Sequence, residues 1–162
     1  MLVVSDTSVL LNLCRVSAEG LLRQLFRDVW VPPAVAAEFS RLAGSRPRFQ
    51  GLVLPWWVRI SPAVQVAAEV RACPDLDPGE SEALSLALEL HADAVLVDEA
   101  AGRRAATVLN VAFVGVAGIL IRARAMRLIP AVRPLLQRLR DEAGFWLHPR
   151  FEAEVLRLAG EA

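Results

Sequence analysis

The 162-residue sequence has no lysine and no tyrosine, and it has very few cysteines and histidines. Two cysteines, Cys14 and Cys73, are too few for a disulfide framework, which excludes a disulfide-rich secreted domain. The two histidines, His91 and His148, each lack a partner at the spacing of a metal site. All 18 basic residues are arginines and 18 acids balance them, so binding to a polyanion through bulk positive charge is not expected.

A secretory signal and a membrane span are not expected either. No basic residue precedes the N-terminal apolar run and Asp6 interrupts it, so this run is not predicted to be a signal peptide. Together with the low cysteine count, this predicts a reducing, cytoplasmic location. The uncharged segment 105–121 reaches only the lower limit of ~17 residues for a span, and it contains Asn110, Gly115 and Gly118. It is therefore predicted to form a helix end, a buried strand, a turn and a helix start.

Apolar residues are abundant, at 55% of the chain against an ordinary ~45–50%. At this length we expect a single domain over residues 1–162 with a large core. The apolar excess combined with zero net charge also predicts a homodimer or a complex with a small helical partner.

Short apolar runs alternate with amphipathic segments, which is typical of an α/β fold with a mostly parallel central sheet. The predicted strands, whose continuous apolarity suits burial on both faces, are Leu2–Ser5, Val29–Val31, Ala94–Val97 and Val111–Val114. The predicted helices are Ser8–Arg15, Glu19–Phe26, Pro33–Leu42, Pro62–Arg71, Pro78–His91, Ala100–Leu109, Ala117–Arg127, Pro130–Asp141 and Arg150–Leu158.

Two segments outside these elements carry separate predictions. The polar segment 43–51 is predicted to be a mobile loop. Trp56 and Trp57 are adjacent, and neighbours in an extended segment point to opposite faces, so one is expected in the core and the other at its rim. The alternative for this pair is stacking on unpaired bases.

Two acids occupy equivalent positions after predicted strands. Asp6 follows Leu2–Ser5 and Asp98 follows Ala94–Val97, and each precedes a predicted helix. Ligands of open α/β sheets bind outside the carboxyl ends of the strands, so the two carboxylates share one crevice if these strands are neighbours. The structural alternative is that each aspartate is an N-cap, which stabilises a helix by about 1 kcal/mol.

Two glutamates on predicted helices complete the candidate set. Glu80 stands at N3 behind Asp77 at the N-cap and Pro78 at N1, a capping-box pattern that explains it about as well as a ligand role does. Glu38 lies at the edge of the apolar stripe of its own helix. A carboxylate there needs a partner, either an arginine or a cation shared with the other acids.

Four carboxylates at one end of a sheet would repel one another, and their pKa values would rise unless a cation neutralised them. Oxygen ligands with open positions suit Mg²⁺ or Mn²⁺, whose coordination is completed by water and substrate phosphates. The predicted chemistry is phosphodiester hydrolysis, in which the metal activates water and stabilises the leaving oxygen. A phosphatase with Asp6 as nucleophile is disfavoured, because Ser8 stands where its second acid would be needed.

Four segments resemble the PIN-domain nucleases, in particular a prokaryotic PIN-like group related to VapC-type toxins. They are VVSDTSVLLNL, VPPAVAAEF, LDPGESEALSLALELHADAVLVDEAAGRRAA and VAFVGVAGIL, in the family's order over nearly the whole chain. The resemblance implies a three-layer α/β/α fold with C-terminal helices, and RNA cleavage with Mg²⁺ or Mn²⁺. It places the catalytic, metal-binding acids on Asp6, Glu38, Glu80 and Asp98. It places an accessory hydroxyl on Thr7 or Ser8.

The sequence departs from the family pattern at two positions. Glu80 stands where the toxins usually have an aspartate, and Val116 stands where a threonine or serine often follows the strand. We expect a metal-dependent endoribonuclease that acts on RNA. More specifically, we expect it to be the toxin of a toxin–antitoxin pair, restrained by a small antitoxin protein. The alternative is a catalytically weak PIN-like module that binds RNA or a protein partner.

Overall fold

Five strands form one all-parallel sheet in the order β3-β2-β1-β4-β5 in the computed structural model, which describes residues 1–162. The strands are β1 (Leu2–Ser5), β2 (Asp28–Val31), β3 (Arg59–Ile60), β4 (Ala94–Leu96) and β5 (Phe113–Val114). The chain builds outward from β1 to β3 and then returns to place β4 on the other side of β1. The carboxyl edge between β1 and β4 is therefore the topological switch point, where open α/β sheets bind ligands.

Nine α-helices flank the sheet and give the expected three-layer α/β/α arrangement. They are α1 (Thr7–Arg15), α2 (Gly20–Leu25), α3 (Pro33–Ser45), α4 (Ala68–Arg71), α5 (Pro78–Glu89), α6 (Ala100–Val108), α7 (Val116–Ala125), α8 (Arg133–Arg138) and α9 (Pro149–Leu158). A 3₁₀ turn, Pro47–Phe49, follows α3, and a π-helical segment, Leu139–Ala143, continues α8.

Side chains along β4 alternate between two buried apolar clusters, one on each face of the sheet. Ala94 and Leu96 belong to the larger cluster, whereas Val95 and Val97 belong to a smaller one shared with α4, α5 and α6. Burial on both faces explains why the central strands read as continuous apolar runs.

The predicted strands and most predicted helices are found, with ends that differ by at most three residues from the predicted ones. Segment 105–121 divides into the end of α6, strand β5 and the start of α7, as predicted. None of the helices combines the length and the apolar character that crossing a membrane requires.

The predicted helix Pro62–Arg71 is wrong over its first six residues, because only Ala68–Arg71 is helical. The N–H of Ala67 bonds the Ser85 hydroxyl on α5 at 3.0 Å instead of a carbonyl one turn earlier. Ala67 itself has an extended backbone and is the N-cap residue of α4, so the helix begins only at Ala68.

The predicted loop 43–51 is also wrong in part, because α3 continues to Ser45 and a 3₁₀ turn follows. Phe49 in this turn packs against the core, and the Arg48 guanidinium donates to the carbonyl of Ala143 at 3.1 Å. These contacts are formed with distant residues, and the local polar composition does not reveal them. Strand β3 was missed for a related reason, since its two residues are exposed and have no apolar pattern.

Candidate metal centre

A cavity of about 230 Å³ opens at the carboxyl edge of the sheet, directly after β1. The charged side chains in its wall are five acids and one arginine, namely Asp6, Glu38, Asp77, Glu80, Glu99 and Arg46. Thr7 and Ser8 also line it. The strands β1 and β4 are neighbours, so Asp6 and Asp98 follow adjacent strands, but of these two only Asp6 lines this cavity. An excess of negative charge in a confined space attracts cations.

Asp6 is held in place by both the sheet and helix α1. Its backbone N–H bonds the carbonyl of Leu96 on β4 at 3.0 Å, and its Oδ1 accepts the N–H of Val9 at 3.0 Å as the N-cap of α1. The Ser8 hydroxyl lies 3.3 Å from Oδ2. Burial raises the pKa of Asp6 well above its usual range, the Val9 bond opposes this, and the charges of nearby acids add to it. The N-cap prediction is thus confirmed, and Asp6 also faces the cavity.

Glu38 reaches the cavity from the middle of α3, half-buried. The Thr7 hydroxyl donates to its Oε2 at 2.9 Å, so its partner in this protein is a hydroxyl and not an arginine. A Cβ at position 79 would lie 3.0 Å from this same oxygen. Gly79 therefore allows the N-terminal turn of α5 to approach the Glu38 carboxylate closely.

Glu80 forms the predicted capping box with Asp77 at the start of α5. The Glu80 N–H donates to Asp77 Oδ1 at 2.7 Å, and the Asp77 N–H donates to Glu80 Oε1 at 3.4 Å. The second oxygen, Oε2 of Glu80, is buried and has no hydrogen-bond partner. Burial, and then the neighbouring Asp77, raise the pKa of Glu80 to about 7. One side chain thus stabilises the helix and leaves a free carboxylate oxygen.

Asp98 lies just after β4 but does not line this cavity. Its carboxylate accepts the N–H of Val116, the first residue of α7, at 3.2 Å and lies 3.4 Å from the Arg103 guanidinium. It faces a neighbouring cavity next to Gly115. Burial raises its pKa, while the Val116 and Arg103 contacts lower it. The predicted capping of the following helix is wrong, because Glu99 is the N-cap residue of α6 and Asp98 bonds the start of α7.

Two acids at the site, Asp77 and Glu99, were not predicted as ligands. One carboxylate oxygen from each of Asp77, Glu80 and Glu99 lies within 4.8 Å of the other two. Glu99 is exposed, and its pKa is raised by partial burial and then by the charges of Asp77 and Glu38. From the sequence, Asp77 was assigned only the role of a helix N-cap. Glu99 was overlooked because the neighbouring Asp98 occupies the position directly after the predicted strand.

The donor set fits a hard divalent cation. Every candidate ligand is an oxygen, and Mg²⁺ and Mn²⁺ prefer carboxylate and water oxygens. The unpartnered Oε2 of Glu80 is the sharpest sign of this fit, because a buried carboxylate oxygen without a donor is costly unless a cation or a proton satisfies it.

A family model described as the PIN domain matches residues 2–161, so the chain belongs to the PIN-domain family. The fold inferred from the sequence resemblance is confirmed by this match together with the parallel sheet. A comparison with curated proteins finds no match. The family assignment indicates a nuclease-type fold, and the structure shows a cluster of acidic residues within it.

Proposed function

We propose that this PIN-domain protein is an endoribonuclease that depends on Mg²⁺ or Mn²⁺. The single observation that carries the proposal is the unpartnered, buried Oε2 of Glu80, a residue that lines a cavity together with four other acids. Asp77, Glu80 and Glu99 would hold the metal, because one carboxylate oxygen from each lies within 4.8 Å of the other two, and Asp6 and Glu38, which line the same cavity, would complete its ligands directly or through water. The bound metal would supply an activated water and stabilise the leaving oxygen.

The other residues of the site orient these ligands. Thr7 fixes Glu38, and Ser8 lies against the Asp6 carboxylate, so both hydroxyls act as accessory groups in the proposed site. Asp98 adds negative charge beside Asp6, where it contributes to the raised pKa, and its bond to the start of α7 holds it there. Arg46 is the one basic side chain in the cavity wall, where it can bind a phosphate of the RNA.

A second candidate function is a PIN-like module with weak or no catalysis that binds RNA or a protein. The capping box favours it, because Glu80 Oε1 already accepts the Asp77 N–H and only one oxygen remains for a metal. The melting temperature in chelator and in excess Mn²⁺ separates the two candidates. A metal-dependent nuclease is stabilised by Mn²⁺, whereas a module without a metal is not.

The direct test is cleavage of single-stranded RNA by the purified protein, with Mn²⁺ or with chelator. Asp6→Asn should remove metal-dependent cleavage, and Asp98→Asn, which removes a charge beside Asp6 but no residue of the cavity wall, should only reduce it, while the circular dichroism spectrum of both stays native. Asp75→Asn is the matched control, because Asp75 is exposed outside the cavity and asparagine tolerates its positive φ of 64°. Equal cleavage in chelator and in Mn²⁺ would contradict the proposal.

We also propose a homodimer or a complex with a small antitoxin protein. Phe113, Phe151 and Leu158 are exposed and line a cavity of about 300 Å³ beside the edge strand β5. Light scattering at micromolar concentration should give a mass above that of the 17.7 kDa monomer. If only the monomer is seen, a pull-down with the product of a neighbouring small gene remains as the test of the antitoxin.

A further inference from the structure

A second cavity, of about 330 Å³, lies at the opposite end of the sheet from the acids. Its wall consists of the end of α2, the start of β2 and the residues around the start of β3, so it opens at the amino edge of the parallel strands. It lies at least the length of a strand away from the acidic cavity, about 10–13 Å for four residues. The two cavities are therefore separate surfaces.

The charge of this second surface is opposite to that of the acidic cavity. Its wall contains three arginines, Arg23, Arg27 and Arg59, and a single acid, Asp28. Asp28 lies 3.5 Å from the guanidinium of Arg59, and neither Arg23 nor Arg27 forms an ion pair. In a chain of zero net charge, this leaves two free guanidinium groups on one small surface. Guanidinium groups are well suited to phosphate.

An exposed tryptophan stands among these arginines. Trp56 is 81% exposed, whereas Trp57 is half-buried against the core, which confirms the predicted division of the pair. The guanidinium of Arg23 lies 4.8 Å from the centre of the Trp56 ring, so it covers at most one face of the indole. An indole that remains this exposed offers a flat apolar surface on which an unpaired base can stack.

We propose that this surface, formed by Arg23, Arg27, Trp56 and Arg59, is a binding site for single-stranded nucleic acid. A base stacks on the open face of Trp56, and Arg23 and Arg27 bind the flanking phosphates. Aromatic stacking combined with a basic groove is the usual physical basis of single-strand binding without base-specific contacts. The proposal goes beyond the proposed nuclease activity, because this surface would bind its ligand whether or not the acids cleave RNA.

The test measures binding of a fluorescein-labelled oligouridine of about 12 nucleotides, a length within the site sizes of single-strand binding domains. Chelator is present throughout, so cleavage does not enter the measurement. Trp56→Ala should weaken binding roughly 5- to 100-fold with an unchanged salt slope, and Trp56→Phe should restore most of the affinity. The double variant Arg23→Gln/Arg27→Gln should reduce the slope of log Kd against log salt by about 1.4, because two phosphate contacts are lost.

Matched controls separate this surface from general effects of charge and aromatic content. Trp146→Ala removes another exposed tryptophan, 67% exposed, and Arg71→Gln/Arg150→Gln removes two exposed arginines elsewhere on the molecule. Both should bind as the wild type does.

Three further ligands complete the test. An oligothymidine of the same length should bind with an affinity similar to that of oligouridine, because stacking on Trp56 and contacts with phosphates do not involve the 2′-hydroxyl. A duplex should bind more weakly, because its bases are not available for stacking on Trp56. Equal affinity for the duplex, or wild-type binding by both Trp56→Ala and Arg23→Gln/Arg27→Gln, overturns the proposal. The same variants are also tested with fluorescent poly-glutamate. If they bind poly-glutamate more weakly than the wild type does but bind oligouridine equally well, the surface is assigned to an acidic protein instead.

Discussion

The Thr7 hydroxyl donates a 2.9 Å hydrogen bond to Oε2 of Glu38, which joins the first residue of α1 to the middle of α3 across the acidic cavity. Thr7 is buried and Glu38 half-buried, so water replaces this donor poorly when it is removed. The bond connects the helix that follows β1 with the helix that follows β2. It thereby sets the position of one candidate ligand relative to the others.

Thr7→Val should therefore lower the free energy of unfolding by about 1–2 kcal/mol, because a carboxylate loses its only donor. Thr7→Ser keeps the hydroxyl and should lose less. Thr107→Val is the control, since Thr107 is exposed and its hydroxyl bonds only a carbonyl of its own helix, so a change within about 0.5 kcal/mol is expected. Urea melts measure all three variants, and an equal loss for Thr7→Val and Thr107→Val would contradict this role.

The raised pKa of Glu80 predicts how stability depends on pH in chelator. The carboxyl has an ordinary pKa of 4.5 in the unfolded chain and about 7 in the folded protein, so between these values the folded state binds more protons. The free energy of unfolding should therefore fall as pH rises from 4.5 to 7. The raised pKa values of Asp6 and Asp98 act in the same direction.

Glu80→Gln should flatten this profile and be more stable than the wild type at pH 8 in chelator. Glutamine keeps the acceptor for the Asp77 N–H, so the capping box survives while the charge is removed. Added Mn²⁺ should stabilise the wild type more at pH 8 than at pH 5, because ligands must be deprotonated to bind a metal. At both pH values Mn²⁺ should stabilise Glu80→Gln less than it stabilises the wild type, because the variant lacks one ligand charge. Parallel pH profiles for the two proteins would show that Glu80 does not titrate as described.

Asp98→Ala should destabilise the protein by about 1–2 kcal/mol in chelator and in Mn²⁺ alike. The change leaves the N–H of Val116, a fully buried residue, without an acceptor. Asp98→Asn retains a carbonyl oxygen for this N–H and should lose much less. Denaturant melts with and without metal measure the effect. A neutral or stabilising result for Asp98→Ala in chelator would mean that charge repulsion within the acidic cluster outweighs the lost bond.

Gly102→Ala should both destabilise the protein and weaken its response to Mn²⁺. A Cβ at position 102 would lie 2.6 Å from a Val97 methyl and 2.8 Å from the free Oε2 of Glu80, so the carboxylate must move. Gly44→Ala is the control on α3, where nothing lies within 4 Å of the added carbon, and it should stabilise the protein by about 0.5–1 kcal/mol. Thermal melts across a Mn²⁺ titration record both quantities. An unchanged Mn²⁺ response in Gly102→Ala would place the metal away from Glu80.

Local signals in the sequence were enough to predict the central strands, most helices and several contacts at the site. Strand β1 was predicted at its observed bounds, because a short apolar run buried on both faces needs only its own composition to be recognised. The N-cap role of Asp6 and the capping box of Asp77 and Glu80 were also predictable, since their partners lie three residues away.

Contacts between distant residues decided the rest, and a single sequence does not specify them. The pairing of β1 with β4 brings Glu99 into the acidic cavity, and the position of α7 gives Asp98 a partner 18 residues away at Val116. Ser85 holds Ala67 out of a helix across a similar separation. The sequence by itself therefore determined the fold class and the types of ligand, because both depend on local patterning. Only the tertiary structure decided which carboxylates share one cavity, because that depends on how the strands are ordered in the sheet.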